Sequence, residues 1–357
     1  MITIAYYLRH PGNLHYFAAI KPYLDYFLGT GRYCNRIVVR EGLHRCAQYT
    51  EYADYHPLFS DDCDLDDYDL VLSPTHLRDD EIRSRAHVVQ LFHGMSDKTF
   101  TYERDWSGYA LCLIAGQRQI DRLMRYPHNR GMRHVLVGYP KFDRIPTLPR
   151  LFDNDKKTLI YAPTWRKGGL SSLERFLDEP EIVEGISASY NLIVKPHPNI
   201  FNFAREFYDA RLVDRLQGLR DIKLIRSGNV MPWFAQADLY IGDISASGYE
   251  WLYFGRPAVF LNPQPGVLRP SAEVDAITHL WQCGPLCENM RDLKTCIDNS
   301  MRVDRYREIR EAVLHYSVYR PRAQEATARG VAAIQAFLNG EGNRREEPRD
   351  VEVSRIA

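Results

Sequence analysis

An excess of charge of either sign is missing: Lys plus Arg and Asp plus Glu each number 46 in a chain of 357 residues, so the formal net charge is zero. That balance leaves no global electrostatic footprint for nucleic acid, and none is expected as a partner. No CxxC pair occurs among the seven cysteines, at 34, 46, 63, 112, 283, 287 and 296. An odd count without such pairs reads as buried thiols in a reduced cytoplasmic protein. Cys283 and Cys287 are spaced CxxxC, yet no second ligand pair accompanies them, and ordinary thiols outweigh zinc there. Also missing is any run of about eighteen uncharged apolar residues. The amino terminus, MITIAYYLRHPGNLHYF, has neither the charged start nor the long apolar core of a signal peptide. These absences predict a soluble protein, any membrane contact being peripheral, on the inner face of the cell membrane. No internal repeat is visible.

What is present is a succession of short apolar strands and helical patterns, an α/β organisation. The length suits two domains of about 150 residues each. We expect an amino-terminal domain over 1–148, a second domain over 149–322, a last helix over 323–338 and a disordered tail over 339–357, where the composition turns polar and charged. Strands are predicted at ITIAYYL from Ile2, IVVR at 37–40, YDLVLSP before Thr75, HVVQLFHG at 87–94, 110–116 and VLVGYPKFD at 135–143. A turn is expected around Pro11 and Gly12. Tyr16, Phe17, Ile20, Tyr23, Leu24 and Phe27 recur at spacings of three and four, which predicts one helical face despite Pro22. Six aspartates between Asp61 and Asp69 suggest either a cation site or, more simply, a solvated loop. The segment Pro146 to Lys157 reads as the interdomain linker.

Candidate chemistry gathers at strand ends, where open α/β sheets bind ligands. The stretch LYIGDISASGYEWLYFGRPAVFLNP, 239–263, reads as strand, small-residue turn, helix and strand. Free N–H groups at that helix start favour an anion, hydroxyls of Ser245 and Ser247 can donate to phosphate, and Glu250 can hold a ribose. His93 stands beside Gly94 at a strand end, where a neutral imidazole can take a proton from an attacking hydroxyl. Asp97 either orients His93 or caps the next helix. In the second half, TLIYAPTWRKGG at 158–169 brings Thr164 and Arg166 to a turn, the guanidinium matching phosphate oxygens two at a time. NLIVKPHPN at 191–199 presents Lys195 and His197 between stiffening prolines. Arg118, Arg122 and Arg125 share one helical face, which could meet anionic membrane or be simply solvated.

These residues form an ordered set: FHGMSDK at 92–98, GYPKFD at 138–143, YAPTWR at 161–166, KPHP at 195–198, DISASGYE at 243–250 and GRPAVF at 255–260. The set resembles the CDP-glycerol glycerophosphotransferase family, the teichoic-acid primases and polymerases, over about Gln90 to Leu338. The resemblance implies a GT-B fold, two Rossmann-like domains facing each other across a cleft. It implies His93 as general base on the acceptor, with Gly94 beside it, and His197 as the pyrophosphate partner. Ser245 and Ala246 fall on the family's paired serines, with Ser247 adjacent, Glu250 on its acidic position and Arg329 on its late arginine. Implied partners are CDP-glycerol or a related nucleotide donor and a glycan or polyprenyl-linked acceptor, with CMP released. No carboxylate cluster for a metal stands out, so no cofactor is expected. Two other readings stay open: a GT-B glycosyltransferase using a nucleotide sugar in capsule or lipopolysaccharide synthesis, and a non-catalytic nucleotide-binding partner in glycan assembly.

Overall fold

Apolar runs too short for helices pair side by side to make the first of two sheets. Its strands are β1 (Ile2–Leu8), β2 (Tyr33–Val39), β3 (Leu58–Phe59), β4 (Leu70–Ser73), β5 (His87–Gln90), β6 (Leu111–Ile114) and β7 (His134–Leu136), ordered β3-β2-β1-β4-β5-β6-β7. The second sheet contains β8 (Thr158–Tyr161), β9 (Asn191–Val194), β10 (Ile222–Leu224), β11 (Leu239–Gly242), β12 (Ala258–Leu261) and β13 (Leu286–Cys287), ordered β10-β9-β8-β11-β12-β13. Every strand pair is parallel. The computed structural model describes residues 1–9, 16–39, 53–59, 63–165, 169–203, 205–226, 228–321 and 324–341. The expected turn at Pro11 and Gly12, Asp61, Asp62, Arg166 and the tail from 342 lie outside them.

Parallel strands covered on both faces must be apolar on both. Ile4, Tyr6 and Leu8 therefore enter one core and Ala5 and Tyr7 another. In the second sheet Ile160 and Tyr240 face one core, while Leu159, Tyr161, Leu239 and Ile241 face the other. The helix Phe17–Thr30 buries Phe17, Ile20, Tyr23, Leu24 and Phe27, the face its spacing predicts. In both sheets the strand order reverses direction, between β1 and β4 and between β8 and β11. At such a reversal the connecting chains leave to opposite sides and a crevice opens at the strands' carboxyl ends.

The chain does not end where its second sheet ends. After the helix Arg307–Ser317, the N–H of Tyr319 donates to the carbonyl of Ala115 at the end of β6, at 2.8 Å. The helix Ala326–Leu338 then packs on the first half, where Val331 and Ile334 share a core with Ile4, Tyr6 and Tyr23. Its start is fixed by Asp143, whose carboxylate accepts from the N–H groups of Ala326 and Thr327 at 3.0 and 2.7 Å.

One expectation changes. The arginine face of the helix Gln117–Met124 does not look outward: Arg118 is 2% exposed and Arg122 1%. Arg125 alone of the three is at the surface, paired with Asp275 at 2.5 Å. The basic stripe that suggested an anionic membrane is thus largely interior, and among the described residues no helix is long and apolar enough to cross a membrane. In the acidic run Asp64 accepts from the N–H of Asp66, Asp66 from the N–H of Arg85 and Asp69 from the N–H of Thr3, and among the described residues no group of three or more metal-ligating side chains is placed to hold an ion.

Gly116 marks the return crossing. A Cβ there would lie 2.0 Å from the carbonyl oxygen of Ser317, backbone against backbone. Gly116→Ala should lower unfolding stability by about 1–3 kcal/mol, as overpacking does, measured by urea titration. An unchanged midpoint would show that the crossing is loose.

Candidate active site

His93 follows β5 on a loop that bends at Phe92. Its Nδ1 lies 2.7 Å from the carbonyl oxygen of Pro74, at the end of β4. A carbonyl only accepts, so Nδ1 carries the hydrogen. Burial pulls the imidazole down to about 4, which keeps the ring neutral and leaves a lone pair on Nε2. The ring stacks on Tyr16 with centroids 3.8 Å apart.

The second half contributes three strand ends. Asp243, fully buried after β11, accepts from the N–H groups of Thr164 and Ser172 at 2.9 and 2.8 Å, joining the loop after β8 to the turn after β11. Burial raises its carboxyl to about 6. After β9, His197 Nδ1 accepts from the N–H of Asn199 at 3.2 Å. Burial, with the charges of Lys98 and Lys195, holds this ring well below the usual imidazole range. A neutral ring that accepts at Nδ1 carries its hydrogen on Nε2. The two histidines are therefore opposite tautomers, one with a lone pair at Nε2 and the other with a donor there. At the turn, the Ser245 and Ser247 hydroxyls are 2.9 Å apart, and Ser247 is 3.1 Å from the Tyr240 hydroxyl.

One cleft between the sheets is lined by His93, Gly94, Lys98 and Lys141 from the first half and by Thr164, Lys195, His197, Ser245, Ala246, Ser247 and Glu250 from the second. The halves approach closely, since a Cβ on Gly94 would sit 3.6 Å from that of Ala246. Lys98 Nζ donates to Thr164 Oγ1 across the cleft at 2.7 Å. Glu250 Oε1 accepts from Tyr139 OH at 2.6 Å and Lys141 Nζ at 2.9 Å, so the carboxylate proposed for a ribose already holds two groups of the other half. The same hydroxyl lies 3.1 Å from the carbonyl oxygen of His93. Lys98 and Lys141 were not among the expected site residues. Both lie inside the quoted motifs FHGMSDK and GYPKFD, and a lysine following a strand-end turn was the available signal.

Residues 71–329 match the family described as CDP-glycerol:poly(glycerophosphate) glycerophosphotransferase. The chain belongs to that family. Among solved structures it is similar to the wall teichoic acid polymerase TagF, at 14% identity over 95% of this chain and 89% of that one, TM-score 0.63. It is similar also to MnaA of S. aureus, solved with UDP, at 13% identity over 98% and 100%, TM-score 0.63. A third is the UDP-GlcNAc 2-epimerase of Neisseria meningitidis bound to UDP-GlcNAc, at 11% over 95% and 100%, TM-score 0.58. At these identities the likeness speaks for the fold, which is GT-B. No curated protein matches the chain. Family membership makes this chain a transferase.

Two residues expected in the glycerophosphotransferase site lie apart from it. Arg329 sits on the last helix, donating from Nε to the carbonyl of Val137 at 2.8 Å and to the carbonyls of Gln324 and Tyr319; it lines a separate hollow with Tyr319 and Arg320. Its guanidinium is occupied by backbone, so the late-arginine assignment to the donor is not supported by its position. Asp97 neither contacts His93 nor lines the cleft. Its Oδ1 accepts from Arg118 Nη2 and from Tyr249 OH, both at 2.6 Å, and its Oδ2 from the N–H of Leu280 at 3.3 Å. His93 is instead oriented by the carbonyl of Pro74.

Asp97, Arg118 and Arg122 are all nearly inaccessible. Asp97→Asn would leave two buried guanidinium groups without their counter-charge, which typically costs about 3–5 kcal/mol. The loss should show in urea unfolding. Unchanged stability combined with lost turnover would return Asp97 to the chemistry.

Proposed function

We propose that this chain transfers glycerol phosphate, or a related polyol phosphate, from a CDP-linked donor to a hydroxyl of a cell-surface glycan or its lipid-linked precursor. The observation that carries the proposal is the pair of neutral histidines in opposite tautomers, lining one cleft with Lys98, Lys141 and Lys195. The lysines and the Ser245–Ser247 turn suit a diphosphate, whose negative charge needs donors already in place. His93 Nε2 takes the proton of the acceptor hydroxyl. The resulting oxygen attacks the β-phosphorus, and the bond from that phosphorus to the bridging oxygen breaks. CMP leaves with the electron pair, its new charge met by the His197 Nε2–H and the lysines. Such a transfer depends mainly on positioning and charge stabilisation, which these groups supply.

Incubation with CDP-glycerol and a polyol-phosphate acceptor should release CMP, and nucleotide sugars should release nothing. Turnover of a nucleotide sugar without any CMP from CDP-glycerol would reassign the chain to sugar transfer. His93→Ala should lower kcat by about 10²–10⁴-fold, the usual contribution of a general base, while cytidine nucleotide binding by calorimetry persists. Retained turnover in that variant would remove His93 from the base role, and binding without turnover in the native protein would favour a non-catalytic partner.

The pH dependence follows from burial. A base works in its unprotonated form, and His93 is unprotonated above about 4 instead of above the ordinary 6.5. The kcat/KM profile should therefore stay level as pH falls through 6.5 and drop only on approach to about 4. An acid limb centred at the ordinary imidazole value would show that the ring is more hydrated than its surroundings imply.

A further inference from the structure

Gln90, the last residue of β5, is fully buried and does not itself line the cleft. A buried amide must find partners for both its donor and its acceptor. Its Nε2 donates to the carbonyl of Thr75 at 2.9 Å, and its Oε1 accepts from the N–H of Phe92 at 2.9 Å. These partners are not incidental. Thr75 is next to Pro74, whose carbonyl receives the His93 Nδ1 hydrogen, and Phe92 is next to His93 itself.

Both segments need holding. Phe92 has φ of +51, a left-handed conformation that bulky residues seldom adopt and that persists only where neighbours enforce it. Its ring is fixed against Trp106, centroids 4.8 Å apart, and its N–H is fixed by Gln90. The opposing loop is closed by Ser73, whose hydroxyl lies 3.0 Å from the carbonyl and 3.3 Å from the N–H of Thr75. One amide thus bridges the two loops whose separation sets the His93 Nδ1 to Pro74 contact.

We infer that Gln90 is a positioning residue for the transfer, its side-chain amide clamping the Ser73–Thr75 turn to the Phe92 backbone so that His93 presents Nε2, and not Nδ1, to the acceptor hydroxyl. The inference rests on His93 as the base. Without the clamp the strand ends separate, the Pro74 carbonyl no longer selects the tautomer, and part of the His93 population carries its hydrogen on the wrong nitrogen.

Gln90→Met keeps the volume and removes the hydrogen bonds to Thr75 and Phe92, together with one to Tyr109. We expect kcat to fall about 10–100-fold, the usual effect of removing a group that orients a histidine, with donor KM unchanged. Nitrogen NMR of the labelled ring should show a single Nδ1–H tautomer for His93 in the native protein and a mixture in the variant. Gln90→Glu, which keeps the acceptor for Phe92 and can donate to Thr75 only while its carboxyl is protonated, should lose turnover as pH rises and the carboxyl ionises, and serves if the Met variant does not fold. A native kcat in folded variants, or a reduced kcat with the His93 tautomer unaltered, overturns the inference. An Nε2–H tautomer in the native protein overturns it without any variant. His93→Ala run in parallel separates the two readings: if it keeps full turnover the base assignment itself fails, whereas its loss beside a fully active Gln90→Met removes only the clamp.

Discussion

A carboxylate shut away from water has to be compensated by protein, and Asp97 is compensated from both halves at once. Arg118 approaches from the first half; the Tyr249 hydroxyl and the Leu280 N–H approach from the second. The contact is close in sequence to residues that line the cleft on both sides. Asp97 is four residues after His93, and Tyr249 is two after Ser247. The guanidinium of Arg122 reaches the carbonyls of Ser96 and Asp97 at 2.6 and 2.9 Å, so the loop carrying Lys98 is gripped from beneath. What the cleft can do depends on this seam staying closed, because His93 and the Ser245–Ser247 turn belong to different sheets and meet only where the sheets are pinned.

The electrostatic character of the cleft comes from the same enclosure. Burial keeps both histidines neutral while lysines surround them. Neutral rings add no charge of their own to a site already rich in cations, and their hydrogen-bond partners decide what each can offer. A carbonyl beside His93 and an N–H beside His197 leave an acceptor at Nε2 of one ring and a donor at Nε2 of the other, from one side-chain type. This is a division of labour made by backbone, requiring no difference in the residues themselves.

Much of this was legible in the sequence. Apolar runs ending in small or polar residues located the strands and their carboxyl ends, and the spacing from Phe17 to Phe27 located a buried helical face. His93, Thr164, Lys195, His197, the Ser245–Ser247 turn and Glu250 do meet at one cleft. The failures share a cause. Arg118 and Arg122 form a helical stripe whichever way it points, and charge argues for water, since charged side chains are rarely buried unless paired. Their partner lies on a different loop, and Tyr249 is 152 positions from Asp97. Sequence spacing carries no information about such pairs. Arg329 was placed by motif alone, and on the helix that returns to the first half it lines a hollow separate from the cleft. Gln90 gave no signal at all, being one more polar residue at the end of an apolar run.

That return has a consequence in time. A chain emerging from the ribosome presents its amino-terminal strands first, and domains generally fold in that order. Here the core of the first sheet is completed by Val331 and Ile334, so part of its apolar surface stays uncovered until the segment through Ile334 has been made. The second sheet, whose strands lie between Thr158 and Cys287, carries no such delay from the last helix. Of the two sheets, the one whose strands are translated first is therefore finished later, when the helix Ala326–Leu338 arrives.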